Sequence, residues 1–206
     1  MTFPDKKFAD VAAYFDAYAK RLAAAAASVD RSALARAAAI LDDAYARHAG
    51  VFACGNGGSA SISNHLVCDH LKGVQTDTEV RPHVHSLATN MELLTAIAND
   101  LSYDDVFVYQ LRTLAKAGDV LITISSSGDS ENVVRAATWA QGNGLKVIAF
   151  TGFDGGRTAG LATAHLHVAG DNYGVIEDAH QSVMHVLAQY LRQARMNEGR
   201  IAQRKF

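Results

Sequence analysis

The chain is poor in cysteine. Two occur among 206 residues, Cys54 and Cys68. One closes an expected strand and the other lies within an expected helix, which argues against a disulfide framework and for reduced thiols in a reducing compartment. Charge of one sign is also lacking. The formal net charge is -2, so no global basic field draws nucleic acid. The one basic concentration, residues 200–205, reads as a solvated tail. Long apolar runs are absent too. Residues 1–7 hold no apolar signal core. The alanine-rich stretch 22–27 falls well short of the roughly 20 apolar residues that span a bilayer. No internal repeat and no linker is visible. The expectation is a soluble, cytoplasmic protein with no nucleic-acid and no membrane partner.

What is present is enough apolar sequence, 49%, to build a real core and exclude a disordered class. Phe8, Val11, Phe15, Tyr18 and Leu22 recur at helical spacing over residues 5–28, and a second helix is expected over 34–47. These two helices precede the first strand, so they must pack outside the sheet or on another subunit. Strands are expected at 51–54, 84–87, 119–125, 144–150 and 164–168. The run 119–125 is continuously apolar and β-branched, as parallel strands buried on both faces are. Helices are expected after Ser59 and over 91–99, 105–116, 132–141 and 175–196. Strand–helix alternation with glycine and serine turns predicts a three-layer αβα fold with a parallel sheet. Ligands of such sheets bind beyond the carboxyl ends of the strands.

Two polar turns fall there. Residues 55–59 carry three glycines in four positions and then Ser59, a candidate N-cap. Residues 125–130 carry Ser125, Ser126, Ser127 and Ser130 before a helix. Hydroxyls and free N–H groups at a helix N-terminus suit a phosphate, although an ordinary capped turn would look similar. Two serine-bearing turns at matching strand ends favour phosphate. Neither is a Walker loop, and Gly55, Gly57 and Gly58 lack the dinucleotide spacing. His65 and Asp69 share a helix face, which suits a metal or proton transfer or is a plain i,i+4 ion pair. His185 sits in an apolar helical run as either a satisfied core residue or a site residue. Asp178 and Gln181 read as residues of that helix's wet face.

These motifs, with residues 98–100 (Ala-Asn-Asp), 103–107, 151–156 and 176–180, resemble the sugar isomerase (SIS) domain family, and more closely its phosphoheptose isomerase branch, over about residues 5–195. The resemblance implies a SIS fold with a five-stranded parallel sheet and two extra N-terminal helices. It implies one domain over 1–206, divided into an oligomer-contacting helical extension (1–48), an αβα core (49–198) and a basic tail (199–206). It further implies a homotetramer with sites between subunits, converting D-sedoheptulose 7-phosphate to D-glycero-D-manno-heptose 7-phosphate through an enediol, for lipopolysaccharide or capsule heptose. By that likeness Ser59, Ser125, Ser126, Ser127 and Ser130 hold the phosphate. Asn56, Gly57, Gly58, Asn99, Asp100 and Glu177 complete substrate binding. His65, Asp69, Glu177 and His185 hold one zinc ion, and Asp69 and His185 are the catalytic pair. Relatives commonly carry Glu at the position of Asp69, Gln at that of Glu177 and an acidic residue near Gly174. A non-catalytic SIS tetramer that binds a replication initiator or senses a phosphosugar is the alternative, and the titratable set at 65, 69 and 185 favours an enzyme.

Overall fold

The computed structural model describes residues 2–206. Two helices come first, α1 (Val11–Ala27) and α2 (Arg31–Ala46). Asp10 caps α1 by accepting from Ala13 N, so the helix begins later than the apolar stripe suggests. The Asp30-Arg31-Ser32 break is itself the start of α2, because the Asp30 carboxylate accepts from Ser32 N. Then follow β1 (Gly50–Cys54) and α3 (Gly58–Cys68), which passes into a π-helical turn, Asp69–Val74. Next come β2 (His83–Ser86) and α4 (Met91–Asp100). The helix expected over 105–116 is broken into a 3₁₀ turn, Tyr103–Asp105, and α5 (Val108–Leu114). The chain continues through β3 (Val120–Ser125), α6 (Glu131–Gly142), β4 (Lys146–Thr151), α7 (Gly156–Ala159), β5 (Ala164–His167) and α8 (Tyr173–Arg195). A last turn, α9 (Glu198–Ile201), lies in the basic segment, and Arg204 beyond it pairs with Asp77.

The five strands form one parallel sheet in the order β2-β1-β3-β4-β5. All six residues of β3 are buried, as its unbroken apolar pattern requires of a central strand. One face carries Val51, Ala53, Ile122 and Ile124 against α2, α3 and α8, while the other carries Phe52, Cys54, Leu121 and Val147 against α5 and α6. Period-two alternation thus feeds two cores from the same strands. From β1 the chain crosses to β2 on one side and returns to β3 on the other. The crevice between the carboxyl ends of β1 and β3 is therefore the topological switch point, where open α/β sheets receive ligands.

Two histidines are sealed in this interior. His180 on α8 is 0% exposed, with Nε2 against the Thr151 carbonyl, and His70 on the π-helical turn is 1% exposed beside the Tyr45 hydroxyl. Burial pushes both down to about 4. Below pH 6.5 the unfolded chain takes up protons that the folded chain refuses, so stability is full above that pH. It should fall as the pH drops from 6.5 toward 4, by up to about 1.4 kcal/mol per pH unit per histidine. Urea midpoints at pH 7.5, 6 and 5 should show this fall, and His180→Gln should flatten it. A midpoint independent of pH in that window would refute the assignment.

Candidate active site

At the switch point a cavity of about 150 Å³ is lined by Asn56, Ser59, Ser125, Ser126, Ser127 and Ser130, with Ile124, Tyr173 and Glu177. The phosphate-binding serines expected from the sequence are thus brought together. Ser59 is not an N-cap: Gly57 holds that position with φ 53, and Ser59 lies buried in the first turn of α3. Ser130 does stand at the N-cap of α6 without a side-chain bond. The Ser125 hydroxyl accepts from Gly128 N at 3.2 Å and the Ser127 hydroxyl from Asp129 N at 3.2 Å, which shapes the loop. The Ser126 hydroxyl is buried with no partner. A buried hydroxyl without a protein partner is free to donate to a molecule entering the cavity. Among the described residues no Lys or Arg lines the cavity, so an anion there would meet only neutral donors and the N-termini of α3 and α6.

Glu177 faces this cavity from α8. A Cβ on Gly58 would lie 2.3 Å from its Oε2, so the carboxylate rests on the bare backbone at the start of α3. Burial, and next the charge of Asp178, raise the Glu177 carboxyl above the ordinary range. Arg157 braces the rim, with Nη1 2.8 Å from Glu131 Oε2 and Nη2 donating to the Asp129 carbonyl at 2.8 Å.

A second constellation lies about two turns further along α8, roughly 12 Å at 1.5 Å per residue. His185 Nδ1 is 2.6 Å from Asp69 Oδ2, and His65 Nε2 is 3.3 Å from Asp69 Oδ1. The two imidazoles meet edge to face with centroids 5.1 Å apart. Gln181 Nε2 stands 2.9 Å from His185 Nε2. An amide N–H there makes Nε2 an acceptor, which puts the His185 proton on Nδ1, toward Asp69. Asp69 opens the π-helical turn, a distortion frequent at functional sites. Donor atoms of His65, Asp69 and His185 all lie within 4.8 Å of one another. Two imidazoles and one carboxylate match a catalytic metal centre that keeps one position open, so the residues fit a metal ion. Glu177, the fourth ligand expected, stands at the serine cavity instead. Asn99 and Asp100 end α4, exposed and bonded to each other at 2.8 Å, and do not line the cavity.

Sequence reasoning gave no site role to Asn132, Tyr103 or Tyr173, and it placed Gln181 on the wet face of its helix. Asn132 exchanges two amide hydrogen bonds with Asn56, and the Tyr103 hydroxyl donates to Asn56 at 2.9 Å. Only Gln181 carried a local signal, its place four residues before His185.

Fold and site together define an α/β protein with a serine-lined cavity beyond its sheet and a His–Asp–His cluster nearby. The SIS domain family matches residues 13–152. A phosphoheptose isomerase of Alteromonas mediterranea is 36% identical over 157 residues, covering 75% of this chain and 79% of the relative. A solved phosphoheptose isomerase from Neisseria gonorrhoeae superposes with a TM-score of 0.79 at 32% identity, over 88% of this chain and 97% of that one. Another from Francisella tularensis gives 0.79 at 28% identity, over 94% and 100%. The chain belongs to the SIS-domain family and, within it, to the phosphoheptose isomerases. It is an enzyme of the isomerase class. No helix among the described residues is long and apolar enough to cross a membrane.

Proposed function

We propose that the protein isomerises a phosphorylated ketose to the aldose, with D-sedoheptulose 7-phosphate and D-glycero-D-manno-heptose 7-phosphate as the pair, in cytoplasmic heptose synthesis for lipopolysaccharide or capsule. The carrying observation is the offset between the serine cavity and the Asp69–His185 pair along one face of α8. A phosphate anchored at one end leaves the carbonyl end of an open chain to meet the pair.

Ser59, Ser125, Ser126, Ser127 and Ser130 hold the phosphate, while Asn56, Gly57 and Gly58 border the start of the sugar chain. Asn99 and Asp100 contact that chain only if α4 moves inward. Asp69 takes the proton from C1, and His185, oriented by Gln181, serves the neighbouring oxygen. Asp69 then returns the proton to C2 while His185, having given its proton to O2, takes the one from the O1 hydroxyl, so the enediol collapses to the aldose with no net proton change. His65, Asp69 and His185 would each offer one ligand atom to a divalent ion, with Glu177 as the fourth ligand if its side chain swings along α8; Asp69 and His185 would then serve the proton transfer only through the atoms the ion leaves free. Such an ion, zinc in our reading, polarises the carbonyl when bound. The helical extension 1–48 makes oligomer contacts in a homotetramer. Exposed Val11 and Phe15 on α1 support that reading.

The test is proton NMR of the purified protein with sedoheptulose 7-phosphate, with and without a chelator. The aldose should appear in the zinc-loaded sample and its formation should slow on chelation. A zinc-loaded sample that forms no aldose would sink the proposal.

A further inference from the structure

Asn56 is the one side-chain amide in the serine cavity, and its hydrogen-bonding capacity is almost entirely spent. Its Nδ2 donates to Asn132 Oδ1 at 2.9 Å. Its Oδ1 accepts twice, from Asn132 Nδ2 at 3.0 Å and from the Tyr103 hydroxyl at 2.9 Å. A carboxamide offers two N–H donors and two acceptor lone pairs. Both lone pairs and one N–H are therefore occupied, and a single N–H is left over. Asn132 is 2% exposed at the start of α6, so its amide is held firmly. Tyr103 comes from the 3₁₀ turn after α4, which packs against α4 and α6.

We infer that Asn132 and Tyr103 are positioning residues that fix the polarity of Asn56, so that it presents one N–H donor and no acceptor to the phosphosugar. Two amides facing each other can exchange their oxygen and nitrogen ends together and keep both mutual bonds. A phenol hydroxyl can donate or accept but is the better donor, so Tyr103 biases the exchange toward the arrangement in which it donates to the Asn56 oxygen. Without it, Asn56 spends part of its time with an oxygen lone pair toward the ligand's acceptor oxygens. The cavity has no cation to offset such a misplaced acceptor, so ligand affinity would suffer directly. The inference rests on the phosphosugar reading of the cavity and names the residues that orient one of its donors.

A double-mutant cycle through Asn56 tests it. Tyr103 is 58% exposed, so Tyr103→Phe leaves no buried void. Removal of one hydrogen bond should raise KM for sedoheptulose 7-phosphate about three- to tenfold with kcat nearly unchanged. Asn132→Ala should do the same or more, and its folding is checked by circular dichroism. In an Asn56→Ala background, Tyr103→Phe should have no further effect on KM. Calorimetric titration with inorganic phosphate runs in parallel. Loss of affinity there assigns the facing acceptor to the phosphate, and loss only with the sugar phosphate assigns it to the sugar; either supports the inference. An unchanged KM in Tyr103→Phe, or a rise that persists at full size in Asn56→Ala, would overturn it while leaving the isomerase reading intact. A wild-type protein that binds neither ligand would overturn both.

Discussion

Replacing His185 by alanine should lower turnover of sedoheptulose 7-phosphate at least about 100-fold, since a positioned general acid–base group contributes about 10² to 10⁴ in rate. The KM should move only a few-fold, because the serine cavity proposed to hold the phosphate is built from the start of α3 and the turn before α6, away from His185. The fold should survive: the His185 side chain is 39% exposed, so its loss opens no sealed void. Asp69→Asn should be as damaging. The amide keeps the size of the carboxylate and bonds to both histidines, yet cannot accept a proton from carbon. The double variant should be little worse than either single one, since groups that act as a unit are not additive. Turnover near wild type in both single variants would exclude this pair as acid and base.

The second large effect is expected from one added methyl group. Gly128, in the serine loop, has φ 65, and a Cβ there would lie 2.0 Å from the Gly155 carbonyl oxygen and 2.7 Å from its carbon. Those neighbours are backbone and cannot rotate aside. The Thr158 N–H and hydroxyl both donate to the Gly128 carbonyl at 3.0 Å, which clamps the loop on the segment after β4. Gly128→Ala thus meets an unfavourable backbone region and a steric collision. Destabilisation of about 2–4 kcal/mol should result. Phosphate affinity should fall as well, because separation of the two loops pulls Ser125–Ser127 out of register with Ser59. Urea denaturation and calorimetry with inorganic phosphate read the two effects. Gly142→Ala is the control, since no atom lies within 4 Å of a Cβ there. A Gly128→Ala protein as stable as wild type, with unchanged phosphate binding, would refute the clamp.

Much of this architecture was legible in the residues alone. The β-branched run in β3, the glycine and serine turns at strand ends and the helical stripes are local signals. Local backbone preference and burial period dictate them. Element ends were less legible, because caps such as Asp10 and Asp30 compete with the apolar pattern that runs past them. The helix expected from Asp105 was interrupted for a related reason: the Ser102 hydroxyl accepts from Asp104 N and holds a separate turn.

The sequence by itself determined the order of strands and helices, the two glycine- and serine-bearing turns and the kinds of titratable side chain available. Spacing alone put His65 and Asp69 on one helix face. Only the tertiary structure decided which partners those groups have. Asp69 meets His185 across 116 residues, and Asn56 meets Asn132 across 76. Glu177 rests on Gly58 at the serine cavity while His185, on the same helix, reaches the histidine–aspartate cluster. The physical reason is that local periodicity specifies which face of a helix is buried. What that face touches depends on the rotation and height of the helix over a twisted sheet, and those are set by packing among all the layers at once.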